Sequence, residues 1–91
     1  MDKLHTIRIK CNAVSYRQGF IEVIPNIHDG CVNLETWDLH GDVDISSMDW
    51  MDERLRDEDF HSNCEIELTK SQAIVLGRAL LNAAAEVIEP T

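Results

Sequence analysis

Between Phe60 and Leu68 the chain alternates in side-chain character residue by residue, and at Thr69 its period changes in a single step. Phe60, Ser62, Cys64, Ile66 and Leu68 fall on one side of an extended segment, and His61, Asn63, Glu65 and Glu67 on the other, which is the two-residue period of a strand. Thr69-Lys70-Ser71-Gln72 then has the spacing of a capping box: the Thr69 hydroxyl accepts from the Gln72 amide while the Gln72 side chain reaches back. A helix is predicted from about Lys70 to Ile88, stopped by Pro90. A strand leading straight into an apolar helix calls for a sheet with that helix packed across it.

Three further strands are expected upstream. Leu4 to Cys11 alternates, with Ile7, Ile9 and Cys11 opposite Arg8 and Lys10. Phe20 to Ile24 is β-branched or aromatic except at Glu22 and stops at Pro25; Asn26-Ile27-His28-Asp29-Gly30 supplies a reversal, and Cys31 to Trp37 reads as the third strand. Such short connections suit antiparallel pairing. The expected fold class is therefore α+β, an antiparallel sheet of about four strands with one long C-terminal helix packed on it, in one domain of 91 residues.

The helix is unusually apolar. Arg78, Asn82, Glu86 and Glu89 make one narrow polar stripe, while leucines, isoleucines, valine and alanines cover the rest. One sheet does not bury so wide a surface. Either the helix is clasped between a curved sheet and the segment before Phe60, or it forms a homodimer interface. Small residues at Ala73, Gly77, Ala84 and Ala85 favour close approach of another backbone, and the candidate interface is Ala73, Gly77, Leu81, Ala84 and Ile88.

That preceding segment is the other distinctive stretch. Residues 42–59 hold eight acids (Asp42, Asp44, Asp49, Asp52, Glu53, Asp57, Glu58, Asp59) against Arg54 and Arg56, so 18 residues carry six of the nine net negative charges. Its middle is expected as a short helix capped by Ser46 or Ser47, with Met48, Met51 and Leu55 on one face, or as a solvated loop. A net charge of -9 opposes direct binding to nucleic acid or to an anionic membrane and favours basic partners. No apolar run approaches membrane-spanning length and no signal peptide is evident, so a cytoplasmic location is expected. Three widely spaced cysteines, Cys11, Cys31 and Cys64, fit free thiols better than a disulfide framework.

Several patterns touch on chemistry. His28-x-x-Cys31 and His61-x-x-Cys64 together supply the ligand types of a tetrahedral zinc site, but residues 61 and 64 of a regular strand point to opposite faces. Asp42, Asp44, Ser46 and Glu53 imitate a calcium loop that lacks the glycine of its sharp turn. Asp38, His40, Asp42 and Asp44 would line one side of an extended chain and could serve a general base or a divalent ion. No nucleophile motif or phosphate loop accompanies them, so no enzyme and no cofactor is expected.

The functional expectation is an interaction protein that binds and inhibits a basic, nucleic-acid-binding protein. Asp42, Asp44, Asp49, Asp52, Glu53, Asp57, Glu58 and Asp59 would pair with lysines and arginines of the target, with Trp50 and Met51 as apolar anchors. Alternatively Trp37 and Trp50 simply cover the sheet. In size, acidity and lack of catalytic motifs the chain resembles the small inhibitors of phages and mobile elements, anti-CRISPR and anti-restriction proteins among them, and toxin immunity proteins. The resemblance is one of type and composition and assigns no residue a role. Two other readings stand beside it: a homodimeric accessory protein joined through the helix, and a small zinc module built on His28, Cys31, His61 and Cys64.

Overall fold

Four strands run in chain order in the computed structural model, which describes residues 5–50 and 55–89. They are β1 (Ile7–Cys11), β2 (Gly19–Pro25), β3 (Cys31–Leu39) and β4 (Phe60–Thr69), and α1 (Lys70–Glu86) follows β4 without a loop. The strands form an antiparallel meander in the order β1-β2-β3-β4, giving the α+β arrangement that alternation and short connections call for. At the β2–β3 reversal Asn26 and Gly30 both have positive φ, 60° and 78°. The Asn26 N–H donates to the Cys31 carbonyl at 2.9 Å and the Cys31 N–H to that of His28 at 3.0 Å. The capping box also forms: the Gln72 N–H donates to Thr69 Oγ1 at 3.2 Å, and the Thr69 N–H to Gln72 Oε1 at 2.9 Å.

Register divides the sheet into two unlike faces. Ile9, Ile21, Thr36 and Cys64 line up across the four strands, as do Ile7, Val23, Leu34 and Ile66, so one face is apolar. The other face carries the rows Arg8, Glu22, Glu35, Glu65 and Lys10, Phe20, Trp37, Asn63. Helix α1 lies over the apolar face and touches β4 and β3. The buried core, however, is on the other side. Phe20, Leu39, Ile45 and Met48 pack together there, edged by Trp37, Val43, Trp50, Leu55 and Phe60.

This placement overturns the expectation of a helix clasped between sheet and acidic segment, because that segment and α1 occupy opposite faces. Among its described residues the segment shows the loop alternative and no α-helix. Residues 42–50 are turns and irregular chain, a single 3-10 turn spans Asp57–Asp59, and Met51 lies outside the described residues. Met48 and Leu55 nonetheless turn inward, since apolar side chains at a sheet surface find cover with or without helical periodicity.

β2 and β3 extend past the expected Phe20–Ile24 and Cys31–Trp37, and two further details differ. Asp38 pairs with Ser62 but Leu39 pairs with Phe60, so His61 is bulged out of the ladder. The slip swings Phe60 to the core face, away from the side expected to hold it with Ile66 and Leu68. Helix α1 ends at Glu86, two residues before the expected Ile88, with Val87 already extended. β-branched Val87 and Ile88 ahead of Pro90 are weak helix formers.

Candidate protein-binding face

The acidic excursion leaves the sheet at Leu39 and returns at Phe60, and its neck is closed by the His40 N–H donating to the Asp59 carbonyl at 3.0 Å. Between those points it is pinned at three places. Ile45, 0% exposed, is inserted into the core, and its N–H donates to Oε1 of buried Gln18 at 2.9 Å. The Gln18 Nε2 in turn donates to the Ser15 carbonyl at 3.2 Å, so both ends of that amide are used. Lys10 reaches from β1 and donates from Nζ to the carbonyls of Ser46 and Met48. Trp50 stacks edge-on against Phe20 and Trp37, with centroids 4.8 and 6.0 Å apart, while the Arg8 guanidinium sits 5.4 Å over its ring. Gln18 and Lys10 were not among the sequence candidates. The signal for Lys10 was present, because β1 has the only basic strand face and a long acidic segment must lie somewhere.

These contacts occupy the nearby cations. Arg8 Nε also pairs with Glu22 at 2.9 Å and Lys10 donates to carbonyls, so among the described residues neither forms an ion pair with a carboxylate of the excursion, and the Lys10 charge acts on Asp44 only from a distance. Asp42 and Asp49 are exposed with no ion pair among the described residues, and so is Asp57. Glu58 meets Arg56 only at 3.8 Å and on the surface. Asp59 is half-buried and its carboxylate accepts from the Arg56 N–H at 2.8 Å. Asp44 accepts from the Ser46 hydroxyl at 2.7 Å and from the Ser46 amide at 3.0 Å, and these two bonds, the hydroxyl first, hold its carboxyl below the usual carboxylate value. Met51, Asp52 and Glu53 lie outside the described residues. Trp50 is half-buried and its ring is engaged with the core, so it anchors the excursion to the sheet.

Strand pairing adds carboxylates to this face that no local pattern announces. Glu35 stands directly across from Glu65, next to Glu22 on its other side. Like charges opposed across strands cost stability and leave a local negative potential. Only Glu22 in that row has a cation among the described residues; Glu35 accepts a hydrogen bond from Asn63 Nδ2 at 3.3 Å.

The other candidate constellations are scattered. Cys31 lies opposite Thr69 and Cys64 opposite Thr36, which is five residues along β3 or roughly 17 Å, and His28 and His61 sit near opposite ends of the sheet. The four proposed zinc ligands are therefore not brought together. Among the described residues no group of three His, Cys, Asp or Glu side chains converges on a metal position. The calcium-like loop has the Asp44 carboxylate engaged with Ser46, and Glu53 lies outside the described residues. The chain turns at Gly41 and Asp42, which breaks the Asp38-to-Asp44 row. The bulge brings His61 in its place: His61 Nδ1 is 3.4 Å from the Asp38 carboxylate, and its ring is 5.4 Å from that of His40, in an open groove also bordered by Tyr16 and Arg17. Of the candidate dimer residues, Ala73 and Gly77 are half-buried toward the sheet, whereas Leu81, Ala84 and Ile88 are exposed.

No helix among the described residues is long and apolar enough to cross a membrane. The fold and face together define a small α+β protein with a pinned acidic surface on one side of its sheet. The chain matches no family model, no curated protein and no solved structure.

Proposed function

We propose that the protein is an inhibitor-type interaction protein whose acidic face binds the nucleic-acid-contacting surface of a basic protein and so masks it. Carboxylates of Asp42, Asp49, Asp57 and Glu58, extended by Asp52, Glu53 and the Glu35–Glu65 pair, take the places that phosphates would occupy against lysines and arginines of the target. The observation that supports this reading is the pinning of the excursion. Ile45, Gln18 and Lys10 hold its inner side, so much of the ordering cost is met before a partner arrives, while Asp42, Asp49 and Asp57 are exposed with no ion pair among the described residues. A segment serving solubility alone has no need of a buried amide and a committed lysine. The class of protein that works this way includes the anti-defence inhibitors of phages and mobile elements and the immunity proteins of nuclease toxins.

The test is capture from nuclease-treated host lysate, comparing the native chain with a variant carrying Asn or Gln at Asp49, Asp52, Glu53, Asp57, Glu58 and Asp59. The native chain is expected to recover one basic nucleic-acid-binding protein that the variant loses. Equal recovery by both chains, or recovery by neither, refutes the reading.

A further inference from the structure

The side of the molecule away from the acids is unfinished. A folded monomer of 10.4 kDa exposes about 5,400 Å², yet this chain exposes 7223 Å². Its radius of gyration is 14.8 Å, against about 12 Å for a compact domain of this length. The surplus of about 1,800 Å² exceeds the roughly 800 Å² that each partner contributes to a standard interface. Many of the exposed apolar side chains among the described residues share one face. Helix α1 has no buried residue, Ile7 and Ile9 of β1 are exposed, and an apolar cleft of about 380 Å³ opens between the sheet and Leu76 and Leu80 of the helix.

The helix carries two apolar lines. Ala73, Leu76 and Leu80 face the sheet, and Gly77, about 40° round from Ala73, stands at the edge of the same cleft. Ile74 and Leu81 each lie one residue further on, hence about 100° round the helix, and are exposed, Leu81 to 72%. Leu81 is flanked one turn to either side by Gly77 and Ala85. No close contact among the described residues calls for a glycine at position 77. A Cβ built there meets nothing within 4 Å, and a glycine inside a helix costs about 1 kcal/mol relative to alanine. A small-large-small line symmetric about Leu81, with a glycine that no contact among the described residues requires, is the pattern of a self-complementary helix crossing.

We propose that the occupant of this face is a second copy of the chain, and that the protein is a two-fold homodimer whose helices cross antiparallel at Leu81. The charges favour a copy over a basic partner, because neither the sheet's apolar rows nor the Gly77–Leu81–Ala85 line carries an ionised group, and a chain of net charge -9 can meet itself only through such a surface. The symmetry of that line favours the antiparallel sense. With Leu81 on the axis, Gly77 of one copy stands opposite Ala85 of the second, so that small residues meet small residues on both sides of the crossing. The two-fold relating antiparallel neighbours stands normal to the plane of the pair. The contact line is about a quarter turn from the sheet-facing line, so that normal is also the sheet normal. Both sheets then lie on the same side of the helix pair, and both acidic faces look away from it in one direction, forming a double-width acidic surface. The dimer does not depend on what that surface binds.

Sedimentation equilibrium of the full native chain tests this, with an expected mass of twice 10.4 kDa and an association that tightens as salt screens the repulsion between the copies. Gly77→Ala separates the alternatives. Within an isolated chain it should firm the helix; at a crossing it should weaken association about tenfold or more while helical circular dichroism is kept or increased. Leu81→Asp should raise Kd at least about thirtyfold. The sixfold acid-to-amide variant should dimerise at least as tightly as the native chain, which keeps this result separate from the fate of the acidic-face reading. A native chain that sediments as a monomer overturns the proposal, as does a Gly77→Ala chain that dimerises as tightly as the native one. A monomer that uses Leu81 to hold a different protein would assign the face to that protein and overturn it equally.

Discussion

Replacing Ile45 with alanine should cost more than any change on the visible surface of the acidic segment. Ile45 is 0% exposed and packs with Phe20, Leu39 and Met48. The substitution removes three buried carbons, worth about 0.8 kcal/mol each in transfer, and leaves a cavity, for a total of about 3–4 kcal/mol. The Ile45 N–H keeps its bond to Gln18, so packing alone is lost. Trp37 and Trp50 edge the same cluster, so urea unfolding followed by tryptophan fluorescence reports on it directly. With a slope of about 1 kcal/mol per molar urea for a domain this small, the midpoint should fall by about 3 M. Val75→Ala on the exposed side of α1 is the control and should change stability by less than about 0.5 kcal/mol. Both are compared at one protein concentration, since association shifts the midpoint. A shift below about 1 M for Ile45→Ala would mean that the excursion is not part of the cooperative core, and the pinned-face reasoning would fail with it.

Three further outcomes are expected. Gly19→Ala places a Cβ 2.3 Å from the Trp37 carbonyl oxygen, so backbone must move; a loss of more than about 2 kcal/mol in thermal unfolding is expected, and a neutral result would show that the β2–β3 pairing is looser than described. Ser46→Ala removes the hydroxyl that does most to lower the Asp44 carboxyl, so the Asp44 midpoint, followed by NMR, should rise toward the ordinary value of about 3.9. Because the folded value is depressed, this carboxyl contributes stability that is fully present above the unfolded value and lost as pH falls through the folded one; the variant should be less sensitive to acid in that window, and an unmoved midpoint would contradict the assignment. Lys10→Met keeps the apolar stem but drops both carbonyl bonds, so amide exchange should quicken at residues 45–50 while the β2–β3 ladder stays protected; uniform loss of protection would instead give Lys10 a general structural role.

What could be read from the sequence was the locally encoded part. The β2–β3 reversal, the capping box at Thr69 and the alternation of β1 each lie within a few residues, and each formed as spaced. Face assignment survived where alternation was unbroken and failed at Phe60, because the bulge at His61 belongs to the pairing with β3 and leaves no mark on β4 alone. The side of the sheet taken by the acidic segment was hidden for a similar reason. It is decided by Ile45 entering between Phe20 and Leu39, and by Lys10 and Gln18 bonding a segment 27 to 38 residues away. The acids themselves were plain in composition, but the Glu35–Glu65 opposition exists only once register is set. The breadth of the helix's apolar surface was legible from its single polar stripe, and the structure leaves much of that surface uncovered.

The most direct measurement is competition. Once a basic partner has been captured, its complex with the native chain should be titrated with the nucleic acid that partner binds, at fixed salt. If carboxylates stand where phosphates would lie, nucleic acid should displace the chain competitively, with its apparent affinity falling in proportion to the concentration of chain present. A ternary complex in which nucleic acid and chain sit on the partner together, each with unaltered affinity, would contradict the masking function.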